Sequence, residues 1–479
     1  MPEKIHNIAK NTSYFTIALV LQKVISFTYF AVLASALTPG ELGKYYFAIS
    51  FSTIFSVFID VGMANVLTRE IAKSKEDANK LLSNSLAVRI PLSIISFLIV
   101  VILINFLSPD DPLTRTLVYF SAACMVFDSF TLGFFSVIRG FHNLKFESIS
   151  SVVFQFIVLC LGLLIIKSEL GLIWQMSALT VASFFILIYS MLLIKFKWKL
   201  KFFQGINIEF IKSMAVIALP FAVFGILQRL LTYSDSIFLK FMAGDEAVGF
   251  YQFSFKIIFA LQFLPMAFVA SLYPAFSSYW KNNREQLAVS FERAINYLVM
   301  ISLPISLGIA ILSDRVVFIL NPGYYGAILP LRIAIFSLFF IFINFPIGSL
   351  LNATDRQKIN TSIMAAGLAL SVAANLVLIP KYGAAGAATT VLLVNLFMFI
   401  LGALQVPKII KYRVRKNFIM LVKVFVASAI MSFAVWKLKY DVNIFLLSAT
   451  GGVIYFIILF ILKGIKKEDL SSILKSFKK

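Results

Sequence analysis

The chain is a succession of apolar blocks, each about 18–26 residues long, joined by short polar connections. Crossing ~30 Å of hydrocarbon as a helix takes about 20 residues. Helices and closed β-barrels are the two structures that satisfy every backbone N–H and C=O without water. A barrel needs apolar–polar alternation with a period of two, which these blocks lack. Fourteen blocks can be drawn, at residues 13–36, 45–67, 81–107, 115–138, 147–167, 171–195, 213–239, 247–273, 290–312, 327–352, 359–380, 383–406, 418–437 and 443–463. Charged residues make up 14% of the chain, against about a quarter in a soluble domain. The expected fold class is an all-α polytopic membrane protein with about fourteen transmembrane helices. Met1 to Asn11 is short and polar, and the run Ser13–Ala36 is too long for a signal h-region, so it reads as the first crossing.

The formal charge of +21 is unevenly placed. With these crossings, 29 of the 43 Lys and Arg fall on one side, in the terminal segments and alternate loops, and eight on the other. By the positive-inside rule the basic side is cytoplasmic and holds both termini, in the cell (inner or plasma) membrane. The charge is therefore a topology signal, and no nucleic-acid partner is expected. Cys124 and Cys160 lie inside crossings with neither disulfide nor metal-ligand spacing.

An internal repeat runs at an offset of 206 residues. Leu21-Gln22-Lys23-Val24-Ile25-Ser26 matches Leu227-Gln228-Arg229-Leu230-Leu231-Thr232, and the register also aligns Gly43 with Gly249 and Tyr45 with Tyr251. Crossings 1–6 and 7–12 then form two six-helix lobes, 1–200 and 201–406, with crossings 13–14 and a basic tail in 407–479. Six is even, so the lobes are parallel repeats, and a site is expected between them near the midplane.

An ionisable residue at a helix centre costs ~2.5–3.5 kcal/mol and marks function by default. Lys23 and its repeat mate Arg229, with Gln22 and Gln228 beside them, are expected to face a cavity, and Arg89 and Lys256 to join them. Such cations suit a phosphate-bearing polyanion. Asp60, Asp128 and Asp235 are expected as ion-pair partners or, through H+ or Na+, as coupling groups. Lys23 with Asp60, or Arg229 with Asp235, would be the purely structural pairing. Arg332 and Lys423, nearer helix ends, are expected to snorkel. Gly383 to Ala388 reads as close helix packing. No nucleophile–base set, phosphate loop or metal cluster is visible, so neither enzyme activity, cofactor nor metal is expected.

The turn Leu37 to Tyr46, the loop Arg139-Gly140-Phe141-His142-Asn143-Leu144-Lys145, Tyr233-Ser234-Asp235 with Ala247 to Tyr251, and Gly323 to Ala327 with Leu331-Arg332 resemble the polysaccharide-transporter family of Wzx-type flippases. The resemblance runs from about residue 10 to 406. It places the chain in the superfamily of the MATE exporters and MurJ-type lipid II flippases, and it implies a two-lobe alternating-access fold. The implied substrate is a polyprenyl-pyrophosphate-linked oligosaccharide for surface polysaccharide biosynthesis, with a polymerase and glycosyltransferases as partners. MATE exporters carry an acidic residue in the first crossing; this one has Lys23 and no carboxylate. A cation-coupled exporter of small amphipathic compounds and a MurJ-like lipid II flippase are the alternatives. A membrane-embedded polymerase would need larger outer loops. The topology predicts that alkaline phosphatase fused after Gly326 is active and fused after Lys201 is inactive; the opposite pattern would invert the orientation.

Overall fold

The computed structural model describes residues 2–464, with side chains from Thr16 onward except at 270 and 271; the basic tail beyond 464 lies outside the described residues. The order is α1 (Pro2–Ala36), α2 (Pro39–Asp60), α3 (Met63–Lys73), α4 (Ala78–Leu107), α5 (Pro112–Gly140), α6 (Lys145–Lys167), α7 (Leu172–Leu192), α8 (Ile208–Leu261), α9 (Phe263–Asn282), α10 (Arg284–Leu320), α11 (Ile328–Ala334), α12 (Ser337–Ala353), α13 (Gln357–Ala403), α14 (Val414–Leu438) and α15 (Ile444–Ile461). Among the described residues eleven segments are long and apolar enough to cross a membrane, or twelve when Pro322–Ala334 and Ser337–Ala353, bent by 45°, count as one.

Two segments are too long for one crossing: Ile208–Asn282 has 75 residues and Gln357–Lys408 has 52. Each breaks at a glycine in the left-handed region, Gly244 (φ 82°) and Gly383 (φ 52°), where a side chain would be strained. At Gly244 the chain doubles back, because Gln252 Nε2 donates to Ser236 Oγ at 2.7 Å and Tyr251 OH to Asp235 Oδ2 at 2.7 Å. Sixteen residues of unbroken helix would hold those pairs roughly 24 Å apart. At Gly383 a Cβ on Gly386 would lie 2.3 Å from the Leu378 carbonyl oxygen, so the reversal is equally tight. Counting both hairpins gives fourteen crossings among the described residues. The second differs from the expected 45–67: α2 starts at Pro39 under a Thr38–Glu41 capping box and stops at Asp60. Val61 (φ 43°) and Gly62 (φ 76°) are left-handed there, and α3 leaves in a new direction.

By packing, the chain divides into units 1–252 and 253–479. In the first, α5 packs on α2, α3, α4 and α7, while α1 lies along α6. The first crossing of α8 is part of this unit: Gly62 abuts Ala218 and Ala222, and Phe47 packs on Phe241. In the second, α10 packs on α9, α12 and α14, and α15 on α14. The last two crossings are fastened to α10 near both ends. Lys439 Nζ and Tyr440 OH donate to Asp314 at 2.7 and 2.9 Å, while Arg413 N donates to Glu292 at 2.8 Å and Asn296 pairs with Asn417 at 2.9 Å.

The 206-residue register has a structural counterpart within the first unit. The buried pair Tyr29–Tyr45 (3.2 Å) occupies the positions of Asp235–Tyr251 (2.7 Å), and Leu33 and Leu239 are both fully buried. A Cβ on Gly43 would lie 1.9 Å from the carbonyl oxygen of Asp245, and one on Gly249 1.9 Å from that of Pro39; Pro39 and Asp245 are themselves repeat mates. Around this reciprocal crossing stand Lys44, Asp111, Lys240 and Asp245. Lys44 and Lys240 reach Asp111 at 2.7 and 3.3 Å, and Lys240 reaches Asp245 at 2.5 Å. Burial works against the Asp111 carboxylate, yet hydrogen bonds from Lys44 and Thr114 hold it well below the usual carboxylate range. Its contribution is therefore present at neutral pH and is lost only as pH falls through that lowered pKa. Gly249→Ala should separate the two backbones: a membrane-impermeant thiol reagent is expected to reach a cysteine at Phe47, which is fully buried in the parent, only in the alanine variant.

Candidate functional site

One cavity of about 590 Å³ lies within the first unit. Three helices present one face each to it. Thr53, Ser56 and Asp60 come from α2, Ser121, Met125, Asp128 and Leu132 from α5, and Gly225, Gln228 and Arg229 from the first crossing of α8. These spacings of three and four put each set on a single helical face. The wall continues along α3 to Asn65 and along α5 to Arg139, toward the end that carries the basic loops.

The break after α2 shapes one end of the site. Asp60 Oδ1 accepts from the Ala64 backbone N–H at 3.1 Å, capping α3, and pairs with the Arg89 guanidinium from α4. Arg89 is 1% exposed. Its other donors go to Ser85 Oγ at 3.2 Å and the Ser129 carbonyl at 2.5 Å, and Gly133 leaves room for the guanidinium, which a Cβ there would meet at 3.1 Å. A buried ion is tolerated when it is paired and its remaining donors are bonded. Asp128 is different: it presents accessible surface and lines the cavity.

Of the residues singled out from sequence, the structure brings Asp60, Asp128, Gln228 and Arg229 together on this wall. Gln22 and Lys23, on α1, are half-buried and are not part of it. Arg89, expected among the cations facing a substrate, instead stands behind the wall, buried in its pair with Asp60 and bonded to Ser85 and the Ser129 carbonyl. Asp235 is buried against Tyr251, and Lys256 is half-buried on α8 in the second unit. The lining is also less cationic than expected, with Arg139 and Arg229 against Asp60 and Asp128. Arg139 was legible only as a loop charge. It is held by Ser136 Oγ at 3.1 Å and Glu147 at 3.2 Å. The hydroxyls of Thr53, Ser56, Ser121 and Ser129 were passed over as well, although their helical spacing beside Asp60 and Asp128 was a signal. Among the described residues no group of three or more His, Cys, Asp or Glu could hold a metal.

The profile of the family described as polysaccharide biosynthesis protein matches residues 8–280, more than half of the chain. The chain belongs to that family. An uncharacterized membrane protein of Methanocaldococcus jannaschii is 24% identical, with 93% of each chain covered. The capsular polysaccharide biosynthesis protein CapF of Staphylococcus aureus is 23% identical over 80% of this chain and 95% of its own. Among solved structures, the lipid II flippase MurJ in an inward closed conformation superposes with a TM-score of 0.77 at 16% identity, covering 95% of this chain and 99% of that one. An inward-facing MATE family transporter of the MOP superfamily gives 0.67 at 14% identity, covering 80% and 93%. The family member is thus a multi-pass membrane protein with the MurJ and MATE transporter fold, and these structural neighbours are transporters or flippases rather than enzymes.

Removing one partner of the buried pair leaves an uncompensated charge. Arg89→Ala should cost about 3–5 kcal/mol, whereas the double replacement Arg89→Met with Asp60→Leu should recover most of it. Thermal unfolding of the purified variants in detergent reads both.

Proposed function

We propose that the protein is a flippase that turns a polyprenyl-pyrophosphate-linked oligosaccharide from the cytoplasmic to the outer leaflet by alternating access. The observation that carries this reading is the composition of the cavity wall. Arg229 and Arg139 offer the charge-assisted hydrogen bonds a pyrophosphate needs. The hydroxyls, Gln228, Asn65 and the carboxylates offer donors and acceptors for sugar hydroxyls. About 590 Å³ is the size of a site for a drug-sized group, which suits a pyrophosphate and its first sugars rather than a whole glycan. CapF acts, by its name, in capsular polysaccharide biosynthesis, and its similarity to this chain, together with the chain's own family, supports a surface-glycan substrate. Both termini would be cytoplasmic, and the polymerase and glycosyltransferases of the same glycan are the natural partners.

Lys23, at the depth of Arg229 in the repeat register, is kept as the second substrate cation, exposed to the site in another state of the cycle. The second reading, a cation-coupled exporter of small amphipathic compounds, draws on Asp128, a carboxylate open to the cavity that could carry H+ or Na+. Arg229→Ala is expected to lower the appearance of glycolipid on the outer leaflet about tenfold or more, and Lys23→Ala with Arg229→Ala to abolish it, at unchanged protein level. Full flipping by the double variant would sink the site. Drug resistance that depends on Asp128, with surface glycans unaffected, would favour the exporter.

A further inference from the structure

The connection between α7 and α8 is a fixed strap rather than a loose linker. Its backbone is held on the first turns of α4: Lys201 N donates to Asn79 Oδ1 at 2.8 Å, Gln204 N to Ser83 Oγ at 2.9 Å, and Asn207 N to Asn84 Oδ1 at 2.8 Å. Asn84 Nδ2 returns a bond to the Gly205 carbonyl at 3.1 Å. Trp198 packs on Phe141 and Phe146, Phe202 packs on Phe134, and Ile194 and Leu200 are buried. With those side chains turned inward, the strap has a defined outer face. On it Phe196, Phe203, Ile206 and Ile208 are 55–68% exposed.

Interleaved with them are Lys195, Lys197, Lys199, Lys201 and Lys212, all exposed, with Glu209 the single acidic residue between 195 and 212. This face is flanked by exposed apolar side chains of two membrane-spanning helices, Phe185 and Leu192 of α7 and Val216 and Leu219 of α8. Apolar side chains alternating with lysines at the edge of the hydrocarbon match the boundary between acyl chains and anionic headgroups. A soluble protein would have to dock against a face that runs into the bilayer.

We propose that residues 195–212 form a docking surface for the anionic phospholipid headgroups of the leaflet on the basic side, with Phe196, Phe203, Ile206 and Ile208 set below the phosphates and the lysines at their level. The surface fixes the membrane depth of α4 and of the start of α8, because the strap is bonded to one and leads directly into the other.

The test uses the full chain in nanodiscs of equal phosphatidylcholine and phosphatidylglycerol. Native mass spectrometry should find phosphatidylglycerol retained about fivefold or more over phosphatidylcholine. The ratio should fall to near parity when Lys195, Lys199, Lys201 and Lys212 become Gln, and should persist when they become Arg. In parallel, a bimane on Phe203→Cys, in a background with Cys124→Ser and Cys160→Ser, should be quenched by a headgroup-level nitroxide lipid and shielded from aqueous iodide. An unchanged lipid ratio in the Gln variant overturns the proposal. So does iodide quenching without nitroxide quenching, which would place the face in water or against a soluble partner.

Discussion

At Gly43 and Gly249 two backbones meet at a separation that leaves no room for a methyl group on either side. The contact is reciprocal, each glycine lying against the repeat mate of the residue that faces the other. Such a crossing fixes the separation of α2 and the α8 hairpin, and much of the first unit follows from it. It sets Lys44 and Asp111 within reach of Lys240 and Asp245, and it aligns α2 so that Thr53, Ser56 and Asp60 share a wall with Gln228 and Arg229. Small residues do this in membranes because lipid supplies no hydrophobic force between helices, so close packing must supply the attraction.

The cavity wall depends in turn on how Asp60 is held. A carboxylate at this depth is costly unless it is paired. The chain ends α2 at Asp60, caps the next helix with the same side chain, and brings Arg89 from behind with its other donors bonded. The arrangement leaves Arg229 and Arg139 as the cations that face open space, and Asp128 as the carboxylate open to it. The wall therefore combines both signs of charge with hydroxyls.

Fold class was legible in the sequence because hydrocarbon thickness imposes block length regardless of tertiary detail. The repeat register was legible too, since Gln22-Lys23 and Gln228-Arg229 stand out against apolar surroundings. Helix facing was not. Lys23 and Arg229 share a register position, yet only Arg229 lines the cavity, because rotation about the helix axis and the packing of α1 on α6 are set by neighbours far along the chain. Arg89 was ambiguous for a similar reason: its partner Asp60 sits 29 residues away at a helix break that only Gly62 hinted at. Arg139 was hidden by its neighbourhood of loop charges, which reads as topology.

The turns at Gly244 and Gly383 bear on how the chain is made. Each joins two crossings through a single non-helical residue, so there is no loop for the insertion machinery to thread across ahead of the second helix. Crossings 7 and 8, and likewise 11 and 12, must then enter the bilayer together as hairpins. In the first of them the polar residues Asp235 with Tyr251 and Ser236 with Gln252 are bonded within the hairpin itself, so their pairing does not require the rest of the bundle.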